Sequence, residues 1–148
     1  MKRSPLILSL FATAVTSTSS DAASSETTVR RFALIAAAND GGSERTRLRY
    51  AESDAETLAS VLRQLGGVAE EDETLLVQPD PAGFDRAFEA LGAELETAAS
   101  SAERLELIVY YSGHSDAEGL LLAGERYSYA RLKAALADLP ADVRIAIL

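Results

Sequence analysis

The fold is decided by one stretch, Leu107-Ile108-Val109-Tyr110-Tyr111-Ser112-Gly113-His114. Its aliphatic and aromatic residues are of the kind that fill a buried β-strand, and Gly113 marks the point where the strand gives way to a loop. His114 follows directly and is the only histidine in the 148 residues. Ligand sites of open parallel sheets form at the carboxyl ends of the strands. The stretch therefore predicts both a core strand and a candidate site.

Two hydrophobic periodicities alternate along the rest of the chain. The continuous apolar run at residues 32–37 is typical of a strand that is covered on both faces. Turn signals and helical spacing predict further strands at 74–77 and 143–148, a hairpin within 119–129, and helices around 51–65, 84–95 and 132–139. This order predicts an α/β protein with a mainly parallel sheet and helices on its faces.

The composition limits the classes of function. Hydrophobic residues make up 47% of the chain and charged residues 25%, which is the balance of a globular domain. The 23 acidic residues outnumber the 14 basic ones, and the net charge of −9 argues against nucleic acid as a partner, because phosphates require a basic face. The 148 residues contain no cysteine and one histidine, which excludes disulfides, thiolate metal sites and multi-histidine metal sites within them. We therefore expect no metal or cofactor site.

The N-terminus, residues 1–22, is predicted to be a signal peptide. Lys2 and Arg3 supply the basic start, and the apolar run at residues 6–15 is too short to span a bilayer. Ser20-Asp21-Ala22 fits a small-x-small cleavage site. A disordered tail or an uncleaved anchor is the alternative interpretation.

The signal peptide would be followed by a flexible polar linker at residues 23–29 and by one domain at residues 30–148. Cleavage would leave no stretch of membrane-spanning length, since no other apolar run approaches about 20 residues. The sequence thus predicts a protein that is exported to the periplasm or secreted.

Each polar residue near the candidate site has two interpretations. His114 is well placed for proton transfer near neutral pH, or it is a solvated loop histidine. Gly113 provides the freedom for a sharp turn, and a backbone N–H just after the histidine could bind an oxyanion. We interpret Ser112, which precedes this glycine, as part of the turn rather than as a nucleophile. Asp54 is either an acid favoured at a helix N-terminus or a buried anion that selects a basic ligand group.

Three segments resemble one family. They are Arg31-Phe32-Ala33-Leu34-Ile35 leading to Asn39-Asp40, Leu48-Arg49-Tyr50-Ala51-Glu52-Ser53-Asp54-Ala55, and Leu107 to His114. They resemble the large-subunit half of caspase-like cysteine peptidases (peptidase C14), most closely the bacterial metacaspase and orthocaspase relatives. The resemblance covers Arg30 to Leu148. It implies the three-layer α/β/α caspase-like fold and a hydrolase that cuts proteins internally with a His–Cys dyad.

The resemblance also implies roles for single residues. His114 matches the catalytic histidine, and Gly113 matches the turn that places it. Ser115 stands where the family usually has a glycine whose N–H lines the oxyanion hole. Asp54, together with Ser112 and Ala51, matches positions of the primary specificity pocket. A carboxylate there would favour substrates with arginine or lysine at the cleaved position, so a peptide or protein with a basic residue is the expected partner.

The nucleophilic cysteine of this family follows the fourth strand, and residues 143–148 resemble that strand. Since no cysteine is present, we expect the sequence to be an N-terminal fragment that is inactive alone, with the sheet incomplete at its C-terminus. Two alternatives remain: a non-catalytic caspase-like binding or scaffold module, and an unrelated exported α/β ligand-binding domain. Some metacaspase relatives depend on calcium, but no ligand cluster in this sequence supports a calcium site.

Overall fold

The computed structural model describes residues 28–148. The predicted signal peptide at residues 1–22 lies outside the described residues, as does most of the predicted linker. Val29, the last residue of the predicted linker, is the first residue of a strand and pairs with Arg104. None of the helices in the described part of the chain is both long and apolar enough to cross a membrane.

All of the predicted elements are present. In chain order they are β1 (Val29–Ala38), α1 (Ala51–Leu65), β2 (Val68–Val77), α2 (Pro81–Ala98), β3 (Arg104–Gly113), β4 (Gly119–Leu122), β5 (Glu125–Ser128), α3 (Tyr129–Asp138) and β6 (Val143–Ile147). Sequence signals set several boundaries: Pro81 opens α2 behind the Asp80 cap, the Ser128 side chain caps α3, and Gly66 follows the last residue of α1.

The main sheet has the strand order β2-β1-β3-β6, and all of its neighbouring strands are parallel. β4 and β5 form a separate antiparallel hairpin. β1 lies in the middle of the sheet, and its residues from Phe32 to Ala38 are almost fully buried. The prediction of a strand covered on both faces is therefore confirmed, and so is the α/β fold with a mainly parallel sheet.

Successive residues of β1 and β3 point to opposite faces and build two cores. One face carries Phe32, Leu34, Leu107 and Val109 and is covered by α2, α3 and the hairpin. The other face carries Ala33, Ile35 and Ala37 and is covered by α1. The protein therefore has three layers, with helices on both sides of the sheet.

β2 begins six residues earlier than the hydrophobic pattern predicted, at Val68 instead of Thr74. Its residues 70–73 are all acidic, and two of these acids bind arginines of the neighbouring elements. Asp72 is buried and accepts hydrogen bonds of 2.6 and 2.8 Å from Arg30, and Glu73 pairs with Arg63. Ion pairing thus allows a charged segment to serve as an edge strand.

The connections place a crevice between β1 and β3. The chain leaves β1 toward α1 on one face of the sheet, whereas it leaves β3 toward the hairpin and α3 on the other face. Neighbouring strands whose connections diverge in this way leave an opening beyond their carboxyl ends, which is where ligands bind in open α/β sheets. The residues at these two ends are Asn39 to Gly42 and His114.

Core packing under the hairpin provides a test of this architecture. Phe84 is fully buried and packs edge-on against Phe88 and Tyr127, at ring-centroid distances of 5.0 and 5.1 Å. We expect Phe84→Ala to lower the free energy of unfolding by about 3–5 kcal/mol in urea titrations, because it leaves a cavity among these rings. The control is Leu65→Ala, since Leu65 is 84% exposed and its truncation should cost less than about 0.5 kcal/mol. Equal losses for the two variants would contradict the packing.

Candidate active site

His114 follows the last residue of β3, and its imidazole lies across the loop that follows β1. The ring packs on Gly41 so closely that a Cβ added to this glycine would lie 2.5 Å from His114 Cγ and 2.8 Å from its Cβ. An alanine at this position would displace the ring. Glycine at position 41 is therefore required by space, and the predicted loop signal at Asn39-Asp40-Gly41-Gly42 is also the platform for the histidine.

One hydrogen bond orients the imidazole. His114 Nε2 lies 2.9 Å from the carbonyl oxygen of Thr46. A carbonyl oxygen only accepts, so Nε2 carries the proton, and this tautomer follows from the bond. Nδ1 has no hydrogen-bond partner within residues 28–148 and is left to accept or release a proton. A histidine held in this way has the form of a general acid–base group.

Gly113 has a different role from the predicted one. It is the last residue of β3 and does not adopt the left-handed conformation of a sharp turn. A Cβ added here would lie 2.5 Å from Tyr111 Cζ and 3.0 Å from the carbonyl oxygen of Ala38. The glycine is needed because the Tyr111 side chain folds back over it. The prediction of a sharp turn at Gly113 was wrong for this reason, and its part in placing the histidine stays a prediction.

Tyr111 fixes the backbone on either side of the site. Its hydroxyl lies 2.9 Å from the carbonyl oxygen of His114 and 2.9 Å from that of Leu121, and the Leu121 N–H donates to the same His114 carbonyl at 2.8 Å. Burial raises the pKa of Tyr111 to about 12. The hydroxyl therefore stays protonated at neutral pH and ties the histidine to the hairpin.

Ser115 and Asp116 connect the site to the hairpin. Ser115 forms a β-bridge with Leu120 in which its own N–H donates to no group of residues 28–148. Asp116 accepts hydrogen bonds from Arg126 and from the backbone of Glu118 and Gly119, and the Arg126 guanidinium above all lowers the pKa of this carboxyl to about 2. Asp116 therefore serves the hairpin structure.

The loop after β1 and the turn of the hairpin meet backbone to backbone. Gly42 and Gly124 both have positive φ, 101° and 83°, and a Cβ on either one would lie 3.0 Å from the Cα of the other. Each position therefore requires glycine for two reasons: its φ is positive, and no space is left there for a side chain. The contact joins the hairpin to the loop whose preceding residue, Gly41, packs on His114.

The three residues predicted to form a specificity pocket lie on the α1 side of the carboxyl edge. Ala51 is the buried first residue of α1, and Ser112 is partly buried near the end of β3. Asp54 lies in the first turn of α1, and its side chain is exposed. Within residues 28–148 the Asp54 carboxylate is exposed rather than buried, and its part in selecting a basic group stays a prediction.

Three contacts around the site were missed from the sequence. Thr46 contributes only its backbone carbonyl, which no residue type reveals. Gln78, with φ of 50°, follows β2, accepts a hydrogen bond from the Asp40 N–H at 3.4 Å and donates to Glu52 at 2.9 Å. Asn39 is buried, and its carbonyl accepts from the Leu48 N–H at 2.8 Å. The Asn-Asp-Gly-Gly signal located this region, but the partners come from distant segments.

No group of three or more histidine, cysteine, aspartate or glutamate side chains within residues 28–148 could hold a metal ion.

The fold and the site define the class. It is an open α/β protein with one histidine, oriented by a backbone carbonyl, at the carboxyl edge between the two central strands. The family model described as caspase domain, of the C14 peptidases, matches residues 30–137. The chain therefore belongs to the caspase-domain family of peptidases, as the sequence resemblance implied. A search of the curated proteins finds no match to this chain.

Because His114 is the only histidine, its ring can be observed without assignment ambiguity. We expect nitrogen NMR of the imidazole to show the neutral form protonated at Nε2. Gly41→Ala should move the ring and shift both nitrogen resonances, while Gly92→Ala, whose added Cβ would meet Leu139 at an ordinary 3.4 Å, should leave them unchanged. A neutral form protonated at Nδ1 would contradict the bond to Thr46.

Tyr111 predicts a pH dependence of stability. Its pKa is higher in the folded protein than the ordinary value of 10.0, so it stabilises the fold below pH 10 and loses this contribution as the pH rises toward 12. Tyr111→Phe should cost about 1 kcal/mol at pH 7 through the lost hydrogen bond. The difference between the two proteins in chemical denaturation should shrink or reverse above pH 10. A constant difference across this range would contradict the prediction.

Proposed function

We propose that this protein is a cysteine-type endopeptidase in which His114 exchanges a proton between a thiol and the leaving amine of the substrate. The observation that carries the proposal is the bond between His114 Nε2 and the Thr46 carbonyl, at 2.9 Å, in a chain of the caspase-domain family. This bond leaves Nδ1 as the working nitrogen and stabilises the imidazolium that forms when Nδ1 takes a proton.

The reaction follows from these positions. Nδ1 takes the thiol proton, and the thiolate attacks the carbonyl carbon of the scissile peptide. The oxyanion then accepts a hydrogen bond from the free Ser115 N–H. The imidazolium returns the proton to the leaving amine as the C–N bond breaks, which leaves an acyl-enzyme. Water then attacks this thioester. His114 takes a proton from the water and returns it to the thiolate as the acyl group leaves.

The thiol is proposed to come from outside these 148 residues, which contain no cysteine. The alignment of β6 supports this proposal. β6 runs parallel to β3, with Ile147 opposite Tyr110, so a segment after β6 would emerge at the same edge as His114. The residues described here supply the proton carrier and one oxyanion donor, and we expect them to be inactive without the thiol.

Selection of a basic residue at the cleaved position is proposed to depend on Asp54. Its carboxylate lies in the first turn of α1, at the carboxyl edge of the sheet, and is open to an incoming guanidinium or ammonium. Ser112 and Ala51 would border the same pocket.

Export through the segment at residues 1–22 is part of the proposal and predicts a mature N-terminus at Ala23, which mass spectrometry of the secreted protein would detect.

The decisive experiment uses the full-length protein and a fluorogenic peptide with arginine at the cleaved position. His114→Ala should lower kcat/KM by about 100-fold or more, because proton transfer to the leaving amine is lost. The matched control is Lys133→Ala, a truncation of an exposed side chain on α3, which should cut normally. Undiminished cleavage by His114→Ala would refute the role of the histidine. A full-length protein that binds such peptides but never cuts them would instead favour the scaffold module.

The selection of a basic residue is tested by comparing cleavage of two peptides. Asp54→Asn should lower kcat/KM for the arginine peptide by about 10-fold or more, since a charge-assisted hydrogen bond is worth about 1.5–3 kcal/mol. A peptide with leucine at that position should be unaffected. Glu56→Gln, which removes the next exposed acid of α1, is the control. Equal losses on both peptides would show that Asp54 has no part in selection.

A further inference from the structure

The face of the protein formed by α2 and α3 has a groove that the proposed reaction does not use. Its volume is about 460 Å³. The floor consists of the buried rings and methyls of Phe88 and Leu139 together with the small residues Gly92, Ala93 and Ala135. These small residues leave a depression between the two helices, and the edges of Phe88 and Leu139, each 5% exposed, lie at its base.

The rim of the groove is acidic. Asp85, Glu89, Glu96 and Asp138 line it, and Glu89, Glu96 and Asp138 are exposed and form no salt bridge within residues 28–148. Asp85 is already paired with Arg131. An apolar floor with three uncompensated carboxylates around it is complementary to a partner that is apolar on one side and positively charged at its flanks.

The walls of the groove decide the backbone conformation of the partner. Both walls are helices whose backbone groups are bonded internally, so the groove offers no strand edge to an extended peptide. A partner that enters it must satisfy its own backbone groups, and a helix does so. The lining residues of α2 run from Asp85 to Glu96, which corresponds to about 16 Å at the rise of an α-helix, or three turns.

We propose that this groove, defined by Asp85, Phe88, Gly92, Glu96 and Leu139, is a docking site for a basic amphipathic helix of a partner protein. A second copy of this chain is a poor occupant, because each copy carries a net charge of −9. An anionic lipid surface would be repelled by the same carboxylates. The inference is independent of the proposed peptidase activity, since the groove lies on the α2 and α3 face and shares no residue with the histidine site.

The probe is a fluorescein-labelled 18-residue peptide of leucine and lysine with helical periodicity, together with a scrambled peptide of the same composition. Fluorescence anisotropy in about 0.15 M salt screens non-specific attraction between the peptide and the acidic protein. We expect saturable binding of the amphipathic peptide and at least 10-fold weaker binding of the scrambled one. Equal binding of the two peptides would overturn the proposal, because only net charge would then be recognised.

Two variants locate the binding. Gly92→Leu fills the groove with a residue that favours helix more than glycine does, and it should weaken binding at least 10-fold. Glu96→Lys changes the rim without entering the core and should weaken binding at least 5-fold. Glu56→Lys makes the same change of charge on α1, on the other side of the sheet, and should bind like the unmodified chain. Circular dichroism checks that Gly92→Leu folds, and Glu96→Lys tests the proposal if it does not.

Sedimentation of the same proteins distinguishes the proposed helix from a second copy of the chain as the occupant of the groove. A dimer of the unmodified chain that dissociates in Gly92→Leu would show that a second copy fills the groove, and this would overturn the proposal. Equal loss of peptide binding in Glu56→Lys and Glu96→Lys would overturn it as well. Binding to vesicles of phosphatidylserine that depends on Gly92 would point to a membrane instead of a helix.

Discussion

The burial of β1 on both faces is the constraint on which the rest of the structure depends. A strand hydrogen-bonded to β2 on one side and β3 on the other, with side chains from Phe32 to Ala38 almost fully buried, requires helices above and below the sheet. The chain meets this requirement by placing α1 on one face and α2 on the other. The connections then diverge between β1 and β3, and the loop at Asn39 to Gly42 and His114 are brought to the same opening.

The elements of this fold were predictable because burial leaves a periodic trace in the sequence. The run at residues 32–37 and the strand around Val109 are continuous apolar segments, and each is a central strand. The acidic segment of β2, residues 70–73, leaves no such trace. Asp72 and Glu73 take their places by pairing with Arg30 and Arg63, which are distant in sequence, and side-chain pairing of this kind is invisible to a local hydrophobic pattern.

The site was only partly predictable, for a related reason. His114 could be located because it follows a buried strand and is unique. Its partner, the Thr46 carbonyl, could not be found, because every residue carries a carbonyl and only the tertiary fold selects one. Gly113 was assigned the wrong physical role, since glycine signals a special backbone and a close contact alike. Asp54 lies near the predicted carboxyl edge of the sheet. Its exposure depends on which elements cover α1, and the local sequence pattern does not show this.

The contact between Gly42 and Gly124 has a consequence for how this protein can vary over evolution. The two positions come from different loops, and each occupies the space that a side chain on the other would need. A substitution or insertion in one loop therefore has to be accommodated by a change in the other. We expect relatives to keep both glycines or lose both, and to change the lengths of the two loops together. Such paired variation would let the neighbourhood of the histidine diverge without disturbing the sheet beneath it.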